Sequence, residues 1–175
     1  AIGAILGAIS TRLHDDSLAI TTIGINFVVV SVFQYTQFFG GALGVGGIEY
    51  PSVLGHALTK PEYLVVVVVC VLLGIWFDRR LVRSWLGLAL RAVGQNEEAA
   101  ESLGIPSARF KIAAFAIGTA YAGVAGSLYA HFMTFISARD FGFPTSISII
   151  SMAVFGGLGT LRGAILGSLA LGLAP

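Results

Sequence analysis

The run from Tyr63 to Phe77 leaves this chain little choice of fold. It holds five consecutive valines, Val65 to Val69, and no charged or amide side chain interrupts it. Valine favours strand in water, but a buried strand is usually about 4–8 residues long, and this run is about twice that. In hydrocarbon the unpaired backbone of a lone strand costs too much, so a helix is forced. Pro61 suits the first turn of such a helix, where its missing N–H is not needed. Three further stretches read as crossings, each judged against the about 20 residues that a bilayer core requires. They are Ser17 to Phe39, Lys111 to Phe132, and a shorter, glycine-broken Thr145 to Leu161. Composition supports lipid as the solvent for much of the surface. Only 11% of the residues are charged and 56% are hydrophobic, against about 25% charged in an ordinary soluble domain. The expected fold is an all-α, polytopic transmembrane helical bundle with about four full spans. The apolar segments Ala1–Thr11 and Gly163–Pro175 read as two more spans, truncated at the ends of the chain.

Basic residues set the expected orientation. Arg79, Arg80, Arg83, Arg91, Arg109 and Lys111 fall in or beside one segment, whereas the loop 40–60 has only Lys60 and the loop 133–144 only Arg139. Residues 78–110 are therefore expected on the cytoplasmic side, with Trp76 and Trp85 at the inner interface and Tyr63 near the outer one. A net charge of +1 gives a nucleic-acid reading no footprint. Cys70 lies alone inside an apolar run and reads as membrane packing. His14, Asp15 and Asp16 read as a solvated helix start rather than a metal site. No phosphate-binding G-x-x-x-x-G-K-[ST] string occurs, so ATP is not bound here by a P-loop.

Two polar features inside or between the spans carry more information. Thr22, Asn26, Gln34 and Gln37 fall within a third of a turn on the first full span. Such a stripe faces either a polar path through the membrane or hydrogen-bonding partners on other helices. The segment from Arg91 to Ile105 is polar, and its composition favours a short helix from about Asn96 to Leu103. Asn96 suits the N-cap, Glu97 and Glu98 suit the first turn, and Gly104 with Pro106 suits the stop. A helix so short is marginal in water and is expected to pack on something; the plain alternative is a solvated loop helix. Of the glycines, several stand at small-xxx-small spacing, including Gly3/Gly7, Gly118/Ala122, Ala122/Gly126 and Gly163/Gly167. Gly123, Gly126, Gly156, Gly157, Gly159 and Gly163 are the candidate packing or gating glycines, and close packing is the simpler account. The glycine-rich loop 40–47 reads as a turn or docking element, with a cradle for a carboxylate as the other reading.

Glu98-Ala99-Ala100, three residues and Gly104 resemble the glutamate-alanine-alanine loop of bacterial ABC importer permeases. The longer string through Arg91, Gly94, Asn96, Glu97, Ala99, Ala100, Gly104 and Ile105, then Phe110 and Lys111, resembles the branched-chain amino acid permeases more narrowly. So do Ala122 to His131, Phe135 to Ser137, Met152 to Gly163, Thr11 to Gly24 and Gly40 to Ile48. Of the two paralogous permease subunits of such importers, the chain resembles the LivM type. It departs from the pattern at Leu43, Ser148 and Ala164.

That resemblance implies one permease membrane domain over 1–175, with 78–110 as its cytoplasmic coupling segment in a bacterial or archaeal plasma membrane. It implies that Arg91, Asn96, Glu97, Glu98, Ala99, Ala100 and Gly104 form a helix that docks on a separate ATPase. The implied partners are a second homologous permease subunit, two cytoplasmic ABC ATPases that bind ATP and Mg, a periplasmic or lipid-anchored substrate-binding protein, and membrane lipid. No catalysis and no cofactor are expected in this chain. The implied cargo is a branched-chain or related hydrophobic amino acid. Urea or a short-chain amide is the alternative, and an ion-coupled secondary transporter or a membrane scaffold are more distant rivals.

Overall fold

The computed structural model describes residues 3, 7–8, 15–37, 40–48, 51–53, 56–57, 59–157 and 159–172. Among the described residues, seven α-helices can be given bounds: α1 (Asp15–Tyr35), α2 (Lys60–Val82), α3 (Trp85–Gln95), α4 (Glu97–Ser102), α5 (Ser107–Met133), α6 (Phe143–Gly156) and α7 (Leu161–Gly172). Four two-residue strands, β1 (Val45–Gly46), β2 (Ser52–Val53), β3 (His56–Ala57) and β4 (Phe135–Ile136), pair as β1–β4 and β2–β3, both antiparallel. The chain divides into two compact units, one of residues 1–19 and 48–134, the other of 20–47 and 135–175.

The first unit is built on α2 and α5. Thr59 caps α2 through a capping box with Glu62, whose Oε2 accepts from the Thr59 N–H at 2.7 Å, and Pro61 sits in the first turn. At 27 residues, with an 18-residue stretch of mean hydropathy 1.4, α5 is the helix among the described residues that is long and apolar enough to cross a membrane. Two tyrosines join α2 to α5. The Tyr63 hydroxyl donates to the Leu128 carbonyl at 2.7 Å, and the Tyr121 hydroxyl donates back to the Gly74 carbonyl at 3.0 Å. The order of these contacts makes the two helices antiparallel. Gly74 keeps the approach open, since a Cβ there would stand 3.3 Å from the Tyr121 ring. Gly3 and Gly7 lie against α5: a Cβ on Gly3 would meet Thr119, and one on Gly7 would stand 2.8 Å from the Ile112 Cα. The small-xxx-small pair at this end is therefore a true close approach. On α5 itself, Gly118, Gly123 and Gly126 have no described atom within 4 Å of a Cβ placed there.

The second unit holds α1 from Ile20 onward, the β1–β4 ladder, α6 and α7. The ladder joins the two loops that the sequence leaves as plain outer loops, pairing Val45 with Ile136 and Gly46 with Phe135. Gly44 permits the pairing, because its φ of +77° and the Ile136 carbonyl against it exclude a side chain. The stretch Thr145–Leu161, expected as a short span broken by glycines, is divided at those glycines. Helix α6 stops at Gly156, Gly157 and Gly159 take positive φ, and α7 starts at Leu161. The two helices pack backbone to backbone: a Cβ on Gly156 would run into the Gly163 carbonyl, and one on Gly167 into the Met152 carbonyl. Fourteen residues of α6 rise only about 21 Å, less than the about 30 Å of a hydrocarbon core.

Serine and threonine hydroxyls within these helices turn back to their own chain. Thr119 donates to Phe115 O at 2.8 Å, Ser148 to Pro144 O at 3.0 Å and Ser168 to Ile165 O at 2.9 Å. Such local bonds satisfy a hydroxyl without a partner helix.

Candidate functional site

Apart from Tyr63 at the far end of α2, the buried side chains of the described residues gather at one corner of the first unit. Ala89, Val93, Ala100 and Phe110 form a small core, with Leu86, Leu90, Ala92 and Ile105 packed against it. The corner begins where α2 ends. Ser84 caps α3, its Oγ accepting from the Gly87 N–H at 3.3 Å while donating to the Leu81 carbonyl at 2.6 Å. Gly87 is buried against the last turn of α2, where a Cβ would press on the Leu81 carbonyl and stand 2.7 Å from the Val82 Cα. This close approach lets α3 fold back at once. Its strongly amphipathic sequence turns Ala89 and Val93 inward and leaves Trp85, Leu88 and Arg91 exposed.

Helix α4 is laid on that corner. Asn96 closes α3, with its N–H bonded to the Ala92 carbonyl, and opens α4, its Oδ1 accepting from the Ala99 N–H at 2.9 Å. The helix then stops in the two-bond turn that a left-handed glycine allows. Ile105 N–H donates to the Ala100 carbonyl at 3.0 Å, Gly104 N–H to the Glu101 carbonyl at 2.9 Å, and Gly104 has φ +81°. Both ends of this six-residue helix are thus capped by residues of its own sequence.

Its faces are unlike. Inward, Ala100 is 2% exposed and Phe110 meets the Trp85 ring edge-on at 5.5 Å. Glu97 accepts from Lys111 Nζ at 2.5 Å, and Glu101 accepts from the hydroxyl of buried Ser107. Both bonds tie α4 to the first two turns of α5. Outward, Glu98 and Ala99 are exposed, and Leu103 is 80% exposed. No side-chain partner of Glu98 lies among the described residues. The candidate residues Asn96, Glu97, Glu98, Ala99, Ala100 and Gly104 are therefore brought together on one short element, divided into an anchored side and an open side. Arg91 stands one helix away, exposed on α3.

The other candidates are placed differently. On α1, Asn26 and Gln34 are half-buried and Thr22 is exposed; Gln37, expected on the same span, lies past the end of the helix at Tyr35 and is exposed. Asn26 Nδ2 donates to the Phe141 carbonyl at 3.4 Å beside stacked Phe27 and Phe143, and its Oδ1 is buried without a partner among the described residues. Gly156 and Gly163 meet at the α6–α7 contact, Gly157 and Gly159 form the turn between those helices, and Gly123 and Gly126 lie open on α5. Sequence reasoning missed the Glu97–Lys111 and Glu101–Ser107 ties. Opposite charge at 97 and 111 was the available signal, hidden by the helix break at Gly104–Pro106. Gly87, Leu103 and the two tyrosine clamps were missed as well.

The family described as branched-chain amino acid transport system permease component matches residues 1–175. The chain is similar to the high-affinity branched-chain amino acid transport system permease protein LivM of Escherichia coli, with 31% identity over 98% of this chain and 46% of that protein. It is similar to a branched-chain amino acid transport permease protein LivM of Methanocaldococcus jannaschii, with 30% identity over 96% of this chain and 50% of that protein. The permease protein LivH of E. coli shares 38% identity over 52% of this chain and 29% of its own length. The chain spans about half the length of the LivM proteins it matches. No solved structure matches.

Proposed function

The chain belongs to the family of branched-chain amino acid transport system permease components, and on that premise we propose that it is part of the membrane path of an ATP-driven importer of branched-chain amino acids. Helix α4 is the coupling element. It is received by a separate cytoplasmic ATPase, which binds ATP and Mg in its own sites. The observation that carries this reading is the two-sided build of α4: capped at both ends and tied inward through Glu97, Ala100 and Glu101, with Glu98, Ala99 and Leu103 held outward. A free helix of six residues would not persist in water. One fixed in advance presents a ready docking face and passes a push into α5 through Lys111 and Ser107. The push reaches α2 through the tyrosine-to-carbonyl bonds. The chemistry of this chain is mechanical, by rocking of packed helices rather than by catalysis.

In this reading α1, α2 and α5 cross the bacterial or archaeal plasma membrane, and the α6–α7 hairpin enters it without a single full crossing. Residues 78–110 are cytoplasmic, a second homologous permease subunit completes the path, and a periplasmic or lipid-anchored binding protein delivers the amino acid. Thr22, Asn26, Gln34 and Gln37 line the path, and the glycines of the α6–α7 turn give it freedom to move. The test uses the full-length permease assembled with its second subunit, ATPases and binding protein in proteoliposomes. Glu98→Lys abolishes leucine uptake and its stimulation of ATP hydrolysis while the permease stays folded. Undiminished coupling in that variant overturns the docking assignment. Uptake of urea in place of leucine would retain the machine and change its cargo.

A further inference from the structure

The C-terminal half of α2 has a layout that none of the coupling argument uses. Trp76, Arg79, Arg80 and Arg83 stand at positions i, i+3, i+4 and i+7, which a helix of 3.6 residues per turn places on one face. The Arg80 guanidinium lies 5.9 Å from the centre of the Trp76 ring, so these two share that face, and Arg83, the C-cap just past Val82, keeps near-helical backbone angles. All four side chains are exposed, Trp76 by 60%. The three arginines pair with no carboxylate among the described residues, and the neighbouring Asp78 points to the opposite side of the helix. Going toward the middle of α2, the same face continues as Leu73, Leu72 and Val69, all exposed. Apolar surface, then an indole, then three free guanidinium groups along one helix face matches the order of acyl chain, interface and phosphate in a phospholipid. Arginine pairs with phosphate through two parallel N–H bonds.

We infer that this face of α2 binds an anionic phospholipid of the cytoplasmic leaflet, with Arg79, Arg80 and Arg83 on its headgroup and Trp76 at the glycerol level. The inference rests on α2 crossing the membrane with its arginine end inside. An anionic lipid there would fix the depth of α2 directly before α3 turns back at Ser84. The membrane thus holds one end of the segment that carries α4. An acidic protein surface is the competing occupant, and free phosphate is the competing source of the anion.

Trp76 and Trp85 are the two tryptophans of this chain, and they supply the probe. The intact permease, with any tryptophan elsewhere replaced by phenylalanine, is reconstituted in vesicles containing a fixed small fraction of brominated lipid. Brominated phosphatidylglycerol is expected to quench the emission several-fold more strongly than brominated phosphatidylcholine. The preference falls up to about fivefold, toward equal quenching by the two lipids, in each single variant, Arg79→Gln, Arg80→Gln or Arg83→Gln. It is unchanged in Arg139→Gln, which removes a charge far along the chain. Equal quenching by the two lipids overturns the inference while leaving the crossing intact. Absence of quenching by either overturns the crossing and the inference together. Loss of the preference in millimolar inorganic phosphate identifies a free-anion site and overturns the lipid assignment. Loss of it on adding the ATPase subunits identifies a protein interface and does the same.

Discussion

The coupling corner and the α6–α7 hairpin are held together by different physics. At the corner, side chains do the packing: Ala89, Val93, Ala100 and Phe110 are buried, an edge-on ring pair closes one side, and an ion pair closes another. Among the described residues of the hairpin only Gly163 and Gly167 are buried, and the contact is backbone on backbone at glycines, with Phe155 80% exposed. The corner drives its own assembly by taking apolar surface out of water. That drive vanishes between helices in lipid, where close approach and a few hydrogen bonds must replace it. Polar ties and helix caps collect at the corner, and glycine-on-glycine contacts in the hairpin.

Amide hydrogen exchange on the reconstituted permease separates the two regions, since each change should loosen one and spare the other. Phe110→Ala is expected to have the largest effect, about 3–5 kcal/mol for losing a buried ring. Protection should collapse in α3 and α4 and persist in α6 and α7; loss spread evenly over both regions would erase the distinction. Gly163→Ala reverses the pattern. Its Cβ has no room beside the Gly156 and Gly157 carbonyls, so α6 and α7 should lose about 1–3 kcal/mol, read as a lower midpoint in thermal or SDS unfolding. Asn96→Ala removes the side-chain cap of α4 and keeps the backbone bond that closes α3. About 1 kcal/mol is expected, confined to α4 amides, and Asn96→Ser should restore most of it. Tyr121→Phe deletes the bond to the Gly74 carbonyl and should cost least, about 0.6 kcal/mol. A cost above 2 kcal/mol would make the tyrosine clamps the principal tie of α2 to α5.

Local signals were the legible ones. The α4 cap at Asn96 and the stop at Gly104 follow from residue types within a few positions of each other, and the structure places both where the sequence puts them. The long helices were legible as apolar runs, but not their limits: α2 runs on past Phe77 to Val82 because Asp78, Arg79 and Arg80 are as compatible with a last helical turn as with a loop. The break in 145–161 was legible from its glycines, but not the part each plays: only the backbone shows Gly156 packing while Gly157 and Gly159 turn. Pairings between distant positions, such as Val45 with Ile136 or Tyr63 with Leu128, leave no local trace at all. The partners of α4 became visible only when the turn at Gly104–Pro106 brought Lys111 and Ser107 back beside Glu97 and Glu101.

The account depends on α4 lying inside the cell, where a nucleotide-driven subunit can reach its open face. The direct measurement is the sidedness of position 98. With Cys70→Ala to remove the native thiol, and any other cysteine of the full-length protein likewise replaced, Glu98→Cys is treated with a membrane-impermeant maleimide in vesicles of known orientation. Labelling is predicted in inside-out vesicles and not in right-side-out ones. Labelling of intact right-side-out vesicles would place α4 outside and contradict the coupling role.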